Sequence, residues 1–313
     1  MPQPVVLIVN PTAGKGAGRL IGAQAGALLR ANGHEVVDAS AGSAQEARVR
    51  AERAIKDGVD TVVVVGGDGV VHLGINLCAD RKLRLGVVPA GTGNDFARNL
   101  GIPVSDPSAA VRLITVGVTQ RMDAGRVTLS SGDQQWFGGV LGAGFDAVVT
   151  ARASRMRWPR GQMRYNLAIL RELPVFKPIP YAAILDGRRI DTRAMLVAVA
   201  NTTSFGGGMR VCPDADWTDG LFDVLILHEV SIPTFLRIFP SVYSGTHLGH
   251  PAVEIVRARR VRLEAQGIHS QADGEMMAEL PLDVELVPGV LNVFVAGADS
   301  DRVPRPDVAG GAA

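Results

Sequence analysis

A chain of 313 residues suits one large or two ordinary domains, and an apolar share of 47% is that of a globular protein with a sizeable core. With 32 basic against 31 acidic residues the formal net charge is +1, which gives no reason to expect nucleic acid as a partner. Two cysteines, Cys78 and Cys212, are too few for a disulfide framework, and no stretch reaches the roughly 18 apolar residues of a membrane span. Val5 to Val9 is also too short for a signal-peptide core, so a cytoplasmic protein is expected.

In chain order, Val5 to Val9 reads as a buried strand that breaks at Asn10, Pro11, Thr12, Ala13, Gly14, Lys15 and Gly16 before a helical run from about Arg19 to Arg30. Strand, glycine loop and helix make a phosphate-binding order. A P-loop is nevertheless excluded because Gly16 follows Lys15, and the dinucleotide fingerprint because Arg19 stands where a third glycine is needed. Gly33 ends the helix, His34 to Asp38 is a short strand, and Ser43 with Glu46 forms a capping box for a helix that closes at Gly58.

The next strand, Val62 to Val65, stops at Gly66, Gly67, Asp68 and Gly69. Glycines let a phosphate approach bare N–H groups, and the carboxylate of Asp68 suits a magnesium ion or its bound water. Taken alone, the loop reads equally well as a tight strand-to-helix turn. Arg84 to Val88 repeats the design and runs into Pro89, Ala90, Gly91, Thr92, Gly93, Asn94 and Asp95. Such alternation predicts a parallel sheet covered on both faces, with three glycine loops converging at the carboxyl ends of its strands.

Asp106-Pro107 opens a helix to Val116, and the chain is expected to leave its first domain near Asp123 and Gly125. Short alternating runs follow: Gln134 to Val140, Tyr181 to Leu185, Arg188 to Asp191 across an Asp186-Gly187 turn, Ala194 to Ala200, Phe222 to Leu227 and Arg259 to Ala265. They predict a mostly antiparallel β domain. The expected division is 1–124, 125–290 and a final strand and flexible tail over 291–313, and exposed strand edges make a homodimer reasonable.

Between Arg152 and Lys177 lie seven cations (Arg152, Arg155, Arg157, Arg160, Arg164, Arg171 and Lys177) against one acid, Glu172, interleaved with large apolar residues such as Trp158 and Met163. This pattern reads either as a transient membrane-surface contact or as a packed helix with a solvated basic face. Asp216 and Asp219, with a free carbonyl at Leu221, could wrap a hard cation or form a solvated acidic turn. Asp273-Gly274-Glu275 is by itself only a turn signal. His247 and His250 have a zinc-like spacing, but no neighbouring ligand completes a site, and they are read as structural.

The Asn-Pro-x-x-Gly loop at 10–14, the Gly-Gly-Asp-Gly loop at 66–69 and above all the Gly-Thr-Gly-Asn-Asp-Phe-Ala-Arg run at 91–98 resemble the diacylglycerol kinase catalytic-domain family, related to sphingosine and ceramide kinases. The resemblance implies a three-layer α/β domain with a mainly parallel sheet, a C-terminal antiparallel β-sandwich, and an active site in the cleft between them. It further implies an ATP- and Mg2+-dependent kinase that phosphorylates the hydroxyl of diacylglycerol or a similar lipid, working at the inner membrane surface. Asn10 to Gly14, Gly66 to Val70, His72 and Gly91 to Asp95 would hold the nucleotide. Asp68, with Asp95 and Asp123, would organise the catalytic metal. Asp216, Asp219 and the Leu221 carbonyl would hold a structural magnesium, and Asp273 or Glu275 would accept the hydroxyl proton. Three polar family residues after Gly69 are replaced here by Val70, His72 and Leu73, and a family threonine is absent at Asp38, with Ser40 a substitute. Another lipid alcohol, a sphingoid base or NAD as acceptor, or a non-catalytic sensor, are the alternative readings.

Overall fold

The computed structural model describes residues 4–129, 132–145, 147–149, 152, 156, 158, 162–172 and 176–296. In its first half β1 (Pro4–Val9), α1 (Ala17–Ala31), β2 (Glu35–Asp38), α2 (Ala44–Lys56), β3 (Thr61–Gly66), α3 (Asp68–Cys78) and β4 (Arg84–Pro89) alternate. The strands pair in parallel in the order β4-β3-β1-β2. Helices on both faces bury β3 completely, which is why it reads as an unbroken valine run and not as an alternating one. Ser43 caps α2 by accepting the Glu46 N–H at 3.2 Å. After the short α4 (Asp95–Asn99), Asp106 caps α5 (Pro107–Val116) by accepting the Ala109 N–H at 2.9 Å.

The second half is an antiparallel β-sandwich. It comprises β5 (Thr119–Thr128), β6 (Gln134–Phe137), β7 (Val140–Gly144), α6 (Gln162–Glu172), β8 (Ile179–Leu185), β9 (Arg188–Ala200), β10 (Phe222–His228), α7 (Ile232–Ile238), β11 (Val253–Ala258), β12 (Arg260–Glu264), β13 (His269–Ala272), β14 (Glu275–Glu279) and β15 (Leu282–Phe294). Two strand expectations need correcting. Gln134 to Val140 is not one run: Gly138-Gly139 divides it, β6 pairing with β5 and β7 with β9 and β13. Conversely, Arg188–Ala200 is one strand whose first half is exposed and second half buried, so its pattern changes from alternating to continuously apolar midway.

Both halves share two long strands. β5 and β15 pair antiparallel along their length, and the other edge of β15 pairs antiparallel with β12 through its first residues and in parallel with β4 through its last. Positions 124 and 290 therefore lie inside continuous strands, and most of the tail lies outside the described residues. Apolar side chains collect in three clusters: around the parallel sheet, inside the sandwich where Phe137 stacks on Phe222 at 5.8 Å, and between β7, β9, β10 and the helices α6 and α7. In the third cluster Phe145 meets Phe176 and Phe235 edge-on at 5.0 and 5.1 Å.

Candidate active site

The loops after β1, β3 and β4 meet at one end of the parallel sheet, because consecutive parallel strands deliver their carboxyl ends to the same edge. The Asn10 N–H donates to Val65 O at 2.9 Å and the Ala90 N–H to Gly66 O at 2.8 Å. A methyl on Gly67 would lie 3.2 Å from the Gly91 Cα, so the second and third loops touch backbone to backbone. Asn10 Oδ1 folds the first loop by accepting the Thr12 N–H at 3.1 Å and its hydroxyl at 2.8 Å, holding Pro11 and Ala13 in the turn. Asn94 does the same for the third, accepting the Gly91 N–H at 2.9 Å and donating to Gly91 O at 3.0 Å. The amides of α3, capped by Gly67, open onto this junction.

Carboxylates face these loops. Asp68 Oδ1 accepts the Asp95 N–H at 3.1 Å. Burial, reinforced by the charges of Asp95 and Asp273, pushes the Asp68 carboxyl up to about 6. A methyl on Gly93 would lie 2.8 Å from Asp68 Oδ2 and 3.3 Å from Asp95 Oδ2. Asp95 rests both oxygens on backbone amides: Oδ2 accepts the Gly207 N–H at 2.7 Å and Oδ1 the Gly208 N–H at 2.8 Å. It ties the third loop to the second half of the chain, and burial, only partly offset by those amides, raises its pKa.

Asp273 and Gly274 are the two turn residues between β13 and β14, both with positive φ (52° and 83°), as a two-residue hairpin requires. The turn projects the Asp273 carboxylate onto Gly138 and Gly139, whose N–H groups donate to it at 3.0 and 2.8 Å. Gly139 has to be glycine, since a methyl there would stand 2.6 Å from Asp273 Oδ1. Glu275 leans toward Gly69, where an added methyl would lie 2.5 Å from its Oε1. His72, expected beside the nucleotide, instead sets its Nδ1 3.5 Å from Asp273 Oδ2, because on α3 it lies one turn beyond Asp68. Val70 is buried, and a methyl on Gly66 would meet its Cγ1 at 2.5 Å, so its side chain packs on the loop from behind. The Ser40 hydroxyl accepts the Val9 N–H at 2.9 Å.

A second acidic group lies at the junction of β5, β15 and the 214–221 loop. Asp123 belongs here and not with Asp68: its Oδ2 accepts the Gly220 N–H at 2.8 Å and its Oδ1 the Gly289 N–H, at the bulge of β15, at 2.7 Å. Burial raises its pKa, with Asp219 and Asp216 adding repulsion. Asp219 Oδ1 accepts the Leu221 N–H at 3.0 Å while Oδ2 pairs with Arg257. Asp216 Oδ1 accepts the Thr218 N–H at 3.0 Å. Among the described residues, no three His, Cys, Asp or Glu side chains converge closely enough to hold a metal by themselves.

From the carboxylates a cavity of about 450 Å³ runs into the third apolar cluster. Lys15, Asp68, Thr92, Asp95 and Asp273 line its polar end, and Val140, Phe145, Val149, Ile169, Leu196, Phe235, Ile238 and Phe239 its apolar length. In the sequence Lys15 stands out only as part of the first loop, and Gly138-Gly139, Gly206 to Gly208 and the apolar wall carry no motif. The paired and tripled glycines were visible as signals; the wall had none, because its residues come from β7, β9, α6, α7 and the segments beside them. His247 is buried at the side of this cavity, donating Nε2–H to Val211 O at 2.9 Å.

Of the cations in 152–177, Arg152 pairs with Glu172, and Arg171 and Lys177 are exposed; Arg155, Arg157, Arg160 and the side chain of Arg164 lie outside the described residues. Trp158 and Met163 are exposed at 77% and 66%, whereas Ala168 and Ile169 of α6 are buried against the cavity. One face of α6 therefore packs inward, while Trp158, Met163, Arg171 and Lys177 stand exposed. No helix among the described residues is long and apolar enough to cross a membrane.

Residues 4–127 match the diacylglycerol kinase catalytic domain and residues 139–295 the YegS C-terminal NAD kinase beta sandwich-like domain. A diacylglycerol kinase from Mycobacterium tuberculosis is 40% identical over 291 residues, covering 93% of this chain and 94% of the relative. A crystal structure from Bacillus anthracis, of a protein provisionally named a diacylglycerol kinase, superimposes with a TM-score of 0.77 at 25% identity, over 94% of this chain and 98% of the other. An NAD kinase from Archaeoglobus fulgidus in complex with ATP shares the fold, with a TM-score of 0.53 at 15% identity over 93% of each chain. The glycine loops, the Asp-Gly-Glu turn between them and the sandwich that carries it thus fit one assignment, and the chain belongs to the diacylglycerol kinase family of enzymes.

Proposed function

We propose that this protein transfers the γ-phosphoryl group of ATP, with Mg2+, to the hydroxyl of a diacylglycerol or a similar lipid. One observation carries the reading: an apolar cavity of about 450 Å³ ends at Asp68 and Asp273, beside the glycine loops. A lipid inserted tail-first presents its hydroxyl to a carboxylate at the point where the loops would hold a phosphate. The backbone amides of the three loops and the opening turn of α3 bind the phosphates, and Lys15 at the cavity mouth adds positive charge.

Asp68 is the residue to hold the catalytic cation. Mg2+ is usually bound through one or two carboxylates and the substrate's own phosphates, and a cation would offset the burial and the repulsion from Asp95 and Asp273 that raise this carboxyl. When bound, the ion neutralises charge on the transferring phosphoryl group. Asp123, Asp216, Asp219 and the Leu221 carbonyl, mutually repelling carboxylates around one loop, would hold a second, structural ion, with Arg257 as its competitor for Asp219.

Asp273 lines the cavity and accepts the proton of the acceptor hydroxyl, while Glu275 beside Gly69 faces the nucleotide loop. Two glycine amides fix the acceptor carboxylate before substrate arrives, which keeps its orientation constant through the reaction. The exposed Trp158 and Met163, with Arg171 and Lys177, would rest on an anionic bilayer from which the lipid enters.

The test is transfer of labelled γ-phosphate from ATP to a panel of lipid alcohols, with Asp273→Asn as control. Phosphatidic acid formed from diacylglycerol by the wild type alone supports the reading. No labelled lipid above the control overturns it.

A further inference from the structure

The cavity carries, beside Asp273, hydroxyl groups that the reaction above does not use. Thr202, on the turn after β9, is fully buried, and its Oγ1 has no hydrogen-bond partner among the described residues. It lines the cavity, as does Ser204 two positions on. Thr203 between them turns the other way and donates its hydroxyl to Asn99 Oδ1 at 2.7 Å. A methyl on Gly139 would stand 3.6 Å from Thr202 Oγ1 and 2.6 Å from Asp273 Oδ1, so hydroxyl and carboxylate flank the same glycine.

A buried hydroxyl costs stability when it is left without a partner, so its persistence against the reacting carboxylate needs a reason. The wall beyond it is mostly apolar. A ligand that satisfies it must bring an acceptor oxygen within a few bonds of the reacting alcohol. In an acylated glycerol the ester carbonyl is such an oxygen, whereas an ether-linked lipid of the same shape lacks it.

We propose that Thr202, with Ser204 beside it, is a specificity-determining residue that donates a hydrogen bond to the ester carbonyl next to the acceptor hydroxyl. The site then prefers ester-linked glycerolipids over diether analogues, because an analogue without the carbonyl leaves the buried donor unpaired. This rests on the lipid-kinase reading above.

The experiment compares kcat/KM of the full-length protein for 1,2-dioleoylglycerol and for 1,2-di-O-oleylglycerol in the same mixed micelles. The wild type is expected to favour the ester by about tenfold, the scale of one buried hydrogen bond. Thr202→Val should lose that preference through the ester arm alone, and Thr202→Ser, which keeps the hydroxyl, should retain it. Ser204→Ala, at a position less enclosed, should weaken the preference by a smaller factor and provides the reading if Thr202→Val does not fold. No ester preference in the wild type, or an equal fall on both lipids in Thr202→Val, overturns the role of Thr202 and leaves the kinase reading standing. A wild type that phosphorylates neither lipid overturns both.

Discussion

The two walls of the active site are built from different material. On the first-domain side the surface is backbone: three glycine loops, the amides of α3 and short polar side chains that fold the loops on themselves. On the sandwich side it is side chain: Phe145, Ile169, Phe235 and Phe239 from separate elements form a tube, and only its mouth is polar. A backbone wall suits a phosphate, which every nucleotide carries in the same form, and an apolar tube suits acyl chains, which vary in length. The Asp273-Gly274 turn brings the Asp273 carboxylate across from the second wall to the first.

The sharpest break in this comparison is at the group both walls share. Asp273→Asn should lower kcat by about 10²–10⁴-fold, the usual worth of a general base, with KM for ATP and lipid little changed. A kcat within threefold of wild type would move the proton acceptor to Asp68 or Glu275. Next in size are substitutions that load one wall only. Gly67→Ala, pressing on Gly91, should raise KM for ATP by about tenfold and leave lipid KM alone, because the two loops must separate to admit the methyl. Phe239→Ala should do the reverse, raising lipid KM by about tenfold, since the ring stacks on Phe235 at 6.0 Å along the tube. If either variant moved both KM values equally, the walls would not be separable.

A smaller effect concerns charge. The Asp68 carboxyl is pushed up to about 6, well above its value in an unfolded chain, so its ionised form opposes folding at neutral pH. Asp68→Asn should therefore stabilise the ligand-free protein by about 1–2 kcal/mol at neutral pH, the side chain being only partly buried. That gain should shrink as pH falls through 6, where the wild-type group takes up its proton. Thermal melts across pH in the presence of EDTA read this directly, and a variant no more stable than wild type would mean that Asp68 is well solvated. The smallest effect is expected from Val70→Thr. Because Val70 packs behind Gly66 and does not face the nucleotide, the change should alter KM for ATP by less than about threefold, and a larger gain would place a phosphate oxygen within its reach.

The parallel half was legible because its physics is local: a buried strand must be apolar throughout, and a chain that turns sharply at a phosphate must use glycine. The Asp-Gly-Glu turn was legible for the same reason, as a hairpin whose first residue takes a positive φ. Asp95 and Asp123 were expected beside Asp68, but the fold turns both carboxylates onto distant glycine amides. Which amides a carboxylate meets depends on Gly207 and Gly208 in one case and Gly220 and Gly289 in the other, each roughly a hundred residues or more away.

What the sequence determined alone was the family and the alternation of strands, glycine loops and helices in the first half, because each is set by backbone geometry over a few consecutive positions. Only the tertiary structure decided the apolar tube, the glycine pair that fixes Asp273 and the placement of His72 beside it. Those features arise where β6, β7, β9, β13, α6 and α7 pack, and no single segment carries their pattern.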